Sequence, residues 1–196
     1  MLPNKKIYRC SWVGNDPLYI RYHDEEWGVP VYDDQLLLAK LILDGAQAGL
    51  SWITILRKRE NYWQAFDNFD AQKMARYDDK KIAELIGNAG IIRNRQKIVS
   101  AIKNAQAYLR LREELGSFSD YLWGFVGGET IVNAIEAEAD YFATSPESHA
   151  MAEDLKRRGF SFVGPTICYA FMQAVGMVND HLVSCFRYEE IRREAI

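Results

Sequence analysis

Four of the six cysteines and histidines in this 196-residue chain gather near its two ends, Cys10 and His23 at the start, His181 and Cys185 at the finish. His181 and Cys185 are spaced i, i+4, so on a helix both face one point. Two thiolates and two imidazoles complete a tetrahedral zinc site with no position left for water, which makes the chemistry structural rather than hydrolytic. No CxxC knuckle is present, and widely spaced cysteines also serve as small core residues. A second concentration is aromatic: Trp12, Tyr19, Tyr22, Trp27 and Trp52. Any one of these rings reads as core filler, and the set is unusually dense. Asp44 is an isolated acid in the C-terminal half of an apolar helix, where the dipole mildly disfavours it and where a solvated carboxylate is the plain reading. Basic residues cluster at Arg57-Lys58-Arg59, at Arg93, Arg95 and Lys97, and at Lys156-Arg157-Arg158. Such clusters form either solvated helix faces or a local anion-binding face. A net charge of −3 excludes a protein that coats nucleic acid by bulk charge.

The elements that must position these residues are helical by periodicity. No alternating run bounded by turn signals marks a sheet, so the fold class is all-α. Asp33 and Asp34 cap a helix through about Gln47, and Gly49 interrupts it before a second helix from about Thr54 to Phe66. Asp70 and Asp78 or Asp79 cap two short helices, the second ending near Gly87. A long amphipathic helix runs from about Arg93 to Leu115 with Ile98, Ala101, Ile102, Ala105 and Leu109 on one stripe, and Gly116 ends it. Phe118–Val126 suits another short helix, and Gly127–Tyr141 is an acidic connection with no assigned element. Ser145-Pro146-Glu147 starts a helix that runs to Arg158, where Gly159 takes the left-handed cap. After Phe160–Pro165, a last helix spans Thr166–Val175 and stops at Gly176.

With 48% hydrophobic residues, the chain is expected to form one domain over residues 1–196 around one core. The apolar stretch Leu36–Leu43 is broken by Lys40 and Asp44, short of the roughly 20 residues a bilayer needs, and the N-terminus carries no apolar signal segment. A cytoplasmic location without membrane contact is therefore expected. Three cysteines cannot all pair, so reduced thiols or metal ligands are expected, with Cys168 in the core and His149 on the surface.

The string Lys156-Arg157-Arg158-Gly159-Phe160-Ser161-Phe162-Val163-Gly164-Pro165-Thr166 resembles the helix-hairpin-helix element of base-excision glycosylases, although alone it equally suits an ordinary helix–helix turn. Leu43-Asp44-Gly45-Ala46-Gln47-Ala48 and Leu85-Ile86-Gly87-Asn88-Ala89-Gly90-Ile91-Ile92-Arg93-Asn94-Arg95 resemble segments that precede the hairpin in that superfamily. Cys10-Ser11-Trp12, Asp16-Pro17-Leu18-Tyr19, Tyr22-His23-Asp24, Glu26-Trp27-Gly28, Gln47-Ala48-Gly49-Leu50-Ser51-Trp52 and Val178-Asn179-Asp180-His181 resemble the 3-methyladenine DNA glycosylase I family. The resemblance runs from about Tyr8 to Cys185 and is weakest from Gly127 to about Thr144.

The resemblance implies an enzyme that flips 3-methyladenine out of double-stranded DNA and hydrolyses its bond to the sugar, releasing the free base. It assigns one structural zinc to Cys10, His23, His181 and Cys185, and a base pocket to Trp12, Tyr19, Tyr22, Trp27, Gln47 and Trp52. Electron-rich rings suit the methylated base, which is cationic in DNA. A family glutamate that accepts hydrogen bonds from the base aligns with Asp44, whose side chain is about 1.5 Å shorter. Gly49 and Leu50 are implied as the loop and wedge that fill the gap in the duplex, and Gly159, Val163, Gly164 and Thr166 as the phosphate-holding hairpin. Asp180 is expected to orient a ligand histidine, and a monomer is expected. Two rival readings are a non-catalytic lesion binder disabled by Asp44, and a zinc hydrolase with His23 and His181 as catalytic ligands. The second needs an open coordination position that two cysteines argue against.

Overall fold

The computed structural model describes residues 7–194. The first six residues, part of the stretch that shows no apolar signal segment, lie outside it. Two aspartates cap the first long elements. Asp16 accepts from the Leu18 amide and starts α1 (Pro17–Glu25), with Pro17 at the first helical position. Asp33 accepts from the Leu36 amide and starts α2 (Asp34–Gln47). The expected second helix is two pieces, α3 (Trp52–Leu56) and α4 (Arg59–Ala65). The Lys58 amide bonds back three residues to the Ile55 carbonyl, tightening the turn and offsetting the two axes. Asp70 and Asp78 cap α5 (Ala71–Met74) and α6 (Asp79–Gly87) as their residue types require.

The long helix α7 (Arg95–Leu115) begins two residues later than periodicity alone suggests, because the Asn94 side chain caps it through the Lys97 amide. Ile98, Ala101, Ile102 and Ala105 are buried, while Leu109 is only partly covered and Tyr108 and Leu111 complete the inner stripe. Next come α8 (Phe118–Trp123) and a 3₁₀ turn over Gly124–Val126. Asp34 ties this corner to α2 by accepting from the Phe118 and Ser119 amides.

The Gly127–Tyr141 connection contains the departure from an all-helical chain. Residues Ile131–Val132 (β1) pair in parallel with Val178–Asn179 (β2), followed by a bridge from Ile135 to Leu182. A two-residue strand is too short to show alternation, and only the approach of Val178 from the far end of the chain creates it. The molecule is otherwise helical. Helix α9 (Pro146–Arg157) is capped by Ser145, and Gly159 takes φ +92° after it. Helix α10 (Pro165–Ala174) follows the hairpin and packs on α9 and α2, and α2 also packs on α7. Helix α11 (Phe186–Glu194) closes the described chain. Leu37, Leu38 and Leu41 of α2, with Phe171 and Met172 of α10, lie at the fully buried centre. Among the described residues, no helix is long and apolar enough to cross a membrane.

The segment after α1 is held against the end of α10: the Gly28 amide donates to Gln173 O, and the Val31 amide to Val175 O. Gly176 sits at this crossing with φ +74°, and a Cβ there would lie 2.4 Å from the Pro30 nitrogen. The clash is with backbone, so no rotamer change relieves it. Gly176→Ala should cost roughly 3 kcal/mol or more, since backbone strain alone is worth about 1–3 kcal/mol. Gly127→Ala, at φ +71° with nothing within 4 Å of its Cβ, should cost only the strain. Thermal unfolding checks this: Gly176→Ala should lose several degrees more than Gly127→Ala, and equal losses would refute the crowding.

Candidate active site and metal centre

The two ends of the chain meet in a buried cluster. Cys10, His23, His181 and Cys185 are all buried, and their ligand atoms lie within 4.8 Å of one another. Cys10 Sγ is 3.6 Å from His181 Nδ1, and Cys185 Sγ is 3.6 Å from the same atom and 3.5 Å from His23 Nε2. Tetrahedral zinc with bonds of about 2.3 Å to sulfur and about 2.05 Å to nitrogen separates S from N by about 3.6 Å. The donor set and its spacing therefore fit such an ion. Hydrogen bonds fix both imidazoles: His23 Nδ1 lies 2.8 Å from Asp24 Oδ1, and His181 Nε2 lies 3.0 Å from the Trp27 carbonyl. That leaves Nε2 of His23 and Nδ1 of His181 turned to the sulfurs. Arg9 holds Asp24 with contacts of 2.7 and 2.8 Å. Partial burial opposes ionisation of Asp24, but hydrogen bonds from Arg9 and His23 keep it below its usual range. The hydrogen bond between the two sulfurs pushes the Cys10 thiol up and the Cys185 thiol down.

The expected role of Asp180 is corrected here. Its carboxylate accepts from Tyr169 Oη at 2.8 Å, Asn133 Nδ2 at 2.6 Å and Gln173 Nε2 at 2.9 Å. Both oxygens are engaged away from His181, so Asp24 and a backbone carbonyl do the orienting. Cys168 is core, its thiol 3.5 Å from the Val163 carbonyl, and His149 is exposed.

The aromatic cage is built directly on the cluster. Trp12 sits in a 3₁₀ turn beside Cys10, Tyr19 and Tyr22 lie on α1 with His23, Trp27 follows α1, and Trp52 opens α3. Trp27 packs its ring 4.6 Å from His181 and 5.0 Å from Trp12. Trp12 and Tyr19 are 5.0 Å apart, and Tyr22 and Trp52 are 5.5 Å apart. These five rings, with Asp44 and Gln47 of α2, line one cavity of about 220 Å³. Lys40, Tyr141 and Gln173 also line it. Sequence reasoning missed these three: Lys40 registered only as a break in an apolar run, and Tyr141 belongs to the unassigned connection. Gln173 looks like any polar position on a helix.

Asp44 is buried at 1% exposure, which removes the reading of a solvated carboxylate. Its Oδ1 accepts from Lys40 Nζ at 2.7 Å, and its Oδ2 has no hydrogen-bond partner among the described residues. Trp52 Nε1 is likewise buried and unpartnered. Loss of water pushes the Asp44 carboxyl up, and the Lys40 ammonium pulls it back. Burial, then the charges of Asp44 and Glu26, pushes the Tyr22 hydroxyl well up, so it stays protonated. An unpaired buried carboxylate oxygen and an indole N–H among ring faces can receive a flat, polar, positively charged group.

Gly45, beside Asp44, lets α2 pass close to the hairpin: a Cβ there would lie 3.2 Å from Phe162 Cβ. Asn104 of α7 clamps the hairpin from its other side, accepting from the Ser161 amide at 2.8 Å and donating to the Ser161 carbonyl at 3.1 Å. Gly159, Val163, Gly164 and Thr166 all lie in or just after this hairpin, Thr166 exposed and Val163 buried, so Val163 offers only backbone. Gly49 and Leu50 form the turn between α2 and α3, with the Leu50 side chain 40% exposed. Lys97 is not part of a basic face. Its ammonium donates to the Ala46 and Ala48 carbonyls and caps the end of α2 beneath that turn. Arg57 pairs with Asp16, Arg59 with Glu26, and Arg158 with Asp154 and Glu114.

A model of the methyladenine glycosylase family matches residues 12–188. DNA-3-methyladenine glycosylase 1 of Escherichia coli is 48% identical over 180 residues, 92% of this chain and 96% of the relative. The crystal structure of 3-methyladenine DNA glycosylase I superposes with a TM-score of 0.90 at 49% identity, covering 91% of this chain and 98% of the other. A tyrosine-to-phenylalanine variant of 3-methyladenine DNA glycosylase I, solved in complex with 3-methyladenine, superposes with a TM-score of 0.88 at 35% identity over 91% and 96% of the two chains. With nearly the whole chain matched at such identity, and a buried carboxylate in an aromatic cage at its centre, the chain belongs to the methyladenine glycosylase family, enzymes that hydrolyse an N-glycosyl bond.

Proposed function

We propose that this chain is a base-excision repair enzyme that flips 3-methyladenine out of alkylated double-stranded DNA and hydrolyses its N-glycosidic bond, without lyase activity. The observation that carries the reading is the buried Asp44 carboxylate, one oxygen unpartnered, in a cavity walled by five aromatic rings. Methylation makes the base cationic, and it leaves neutral: the pair of the breaking sugar–nitrogen bond returns to the base, water adds to the sugar carbon, and its proton goes to solvent. The chain's task is then selection more than activation. Trp12, Tyr22 and Trp52 supply ring faces and Asp44 accepts hydrogen bonds from the base. Tyr19, Trp27 and Gln47 shape the pocket. Asp44 is shorter than the family glutamate, and its place on the inner face of α2 still brings the carboxylate to the cavity.

Gly49 and Leu50 fill the space the base leaves. The hairpin from Gly159 to Gly164, with Thr166 at the start of α10, holds a phosphate through backbone amides. Cys10, His23, His181 and Cys185 would hold one structural zinc, which supplies a cross-link between the chain ends and no catalytic step. The protein acts as a monomer in the cytoplasm. The rival reading as a non-catalytic binder is separated by a single assay of base release from methylated DNA.

Asp44→Asn should lower 3-methyladenine release roughly ten- to a hundred-fold, since a charge-assisted hydrogen bond is worth about 1.5–3 kcal/mol. Its affinity for undamaged DNA should barely change. Release at the parent rate would remove Asp44 from the recognition site.

Freshly purified protein should contain one equivalent of zinc, and Cys10→Ala should lose metal, thermal stability and lesion release together. Elemental analysis well below one equivalent in chelator-free preparations contradicts the zinc assignment.

Lyase chemistry needs an amine to form a Schiff base, and Pro165 and Thr166 follow Gly164 in place of one. Borohydride treatment during turnover should trap no covalent protein–DNA adduct, and a trapped adduct would overturn water as the nucleophile.

A further inference from the structure

The cage already holds a positive charge of the protein's own. Lys40 Nζ lies 2.7 Å from Asp44 Oδ1, 3.5 Å from the centroid of the Trp52 ring and 5.9 Å from that of Tyr22. Carboxylate, indole face and phenol face are the same three partners that a cationic purine would use. An ammonium within about 6 Å of a ring centroid is held by the ring quadrupole, and this one is held by two rings and a carboxylate together. Two cations crowded against one carboxylate in a cleft poor in water repel each other. The lysine therefore competes with any cationic base for Asp44 and for the Trp52 face.

Resting on the glycosylase reading above, we propose that Lys40 is a specificity-determining residue: a tethered cation that fills the cage of the free protein and that a cationic base must displace to stack on Trp52. An exit lies next door. Lys40 also lines a second cleft of about 410 Å³, bordered by the same Tyr22 and Trp52 and carrying the carboxylates of Glu25, Glu26 and Glu60, with the Arg59 guanidinium paired to Glu26. Lys40 thus borders both clefts, and its own side-chain torsions are the route of displacement. Burial pulls the Lys40 ammonium below its usual range; Asp44 opposes that, Arg59 adds to it, and Glu26 offsets part of it. Displacement gives the carboxylate a new positive partner when the incoming base is cationic. A neutral base that drove the ammonium out would leave Asp44 buried and uncompensated. The lysine therefore makes occupancy of the cage conditional on charge.

The test uses 3,9-dimethyladeninium, a permanently cationic adenine with a methyl group in place of the sugar, titrated into the intact protein by tryptophan fluorescence. Lys40→Met and Lys40→Gln should bind it at least about ten-fold more tightly than the parent. Glutamine keeps a donor for Asp44 without the charge, and thermal unfolding of each variant establishes that it is folded. Unchanged or weaker binding by folded variants overturns the proposal. In the parent, the terminal methylene protons of Lys40 should be shifted upfield by the Trp52 ring, and that shift should vanish as the cation saturates the site. A shift that persists at saturation overturns the proposal even if both variants fail to fold. Assay of the parent on methylated DNA separates the two readings. Base release without tighter binding by the variants refutes Lys40 displacement alone, whereas no release and no binding of the cation refutes the glycosylase reading and this proposal with it.

Discussion

The convergence of Cys10, His23, His181 and Cys185 on one buried point is the constraint on which the rest of the site depends. Two thiols and two imidazoles with little water around them are costly to bring together without a cation, yet each is placed by a separate device. Asp24 fixes one imidazole, the Trp27 carbonyl fixes the other, and Arg9 fixes Asp24. The walls of the aromatic cavity grow from this point. Trp12 is two residues from Cys10, Tyr22 adjoins His23, and Trp27 touches the His181 ring. A displaced cluster would shift three rings at once, so pocket shape and chain-end closure are one structural property.

Against that rigid wall, α2 presents a deliberately unfavourable feature. Asp44 lies near the negative end of its helix and is fully buried, and its basic partner is four residues N-terminal to it, the weaker order for a helical ion pair. One of its oxygens has no hydrogen-bond partner among the described residues. Packing alone would favour an apolar residue there, as at Leu37 and Leu41 on the same helix. Domains of this size have only about 5–15 kcal/mol of net stability, so a carboxylate retained in such a place uses up a sizeable part of that margin.

Helix starts were the most legible features of the sequence, because a cap is local chemistry: Asp33, Asp70, Asp78 and Ser145 each accept the amides that their types and positions call for. The rings and the four metal-type ligands were legible through family resemblance, since nothing in their spacing places residue 10 beside residue 181. What escaped reading was created by approach across the fold. The pairing of Ile131–Val132 with Val178–Asn179 has no periodic signal, and Lys97 looks like a surface charge until the end of α2 arrives beneath it. Asp180 adjoins His181 in sequence, but its carboxylate is taken up by Tyr169, Asn133 and Gln173. Tyr141, Lys40 and Gln173 entered the cavity from elements whose role was decided by their neighbours and not by their own patterns.

Cys10 meets His181 across 171 residues of chain, and this separation imposes an order on synthesis. At about 5–20 residues per second, the ribosome delivers Trp12, Tyr19, Tyr22 and Trp27 many seconds before the histidine and cysteine against which they are anchored. During that interval the rings on and beside α1 lack the partners that bury them in the finished fold. Helices α2 to α7 contact one another, but α2 packs on α10 as well, so the buried centre shares the wait until α10 is made. The nascent protein therefore lacks part of its centre until α10 emerges, and its flank stays open until Cys185 clears the exit tunnel.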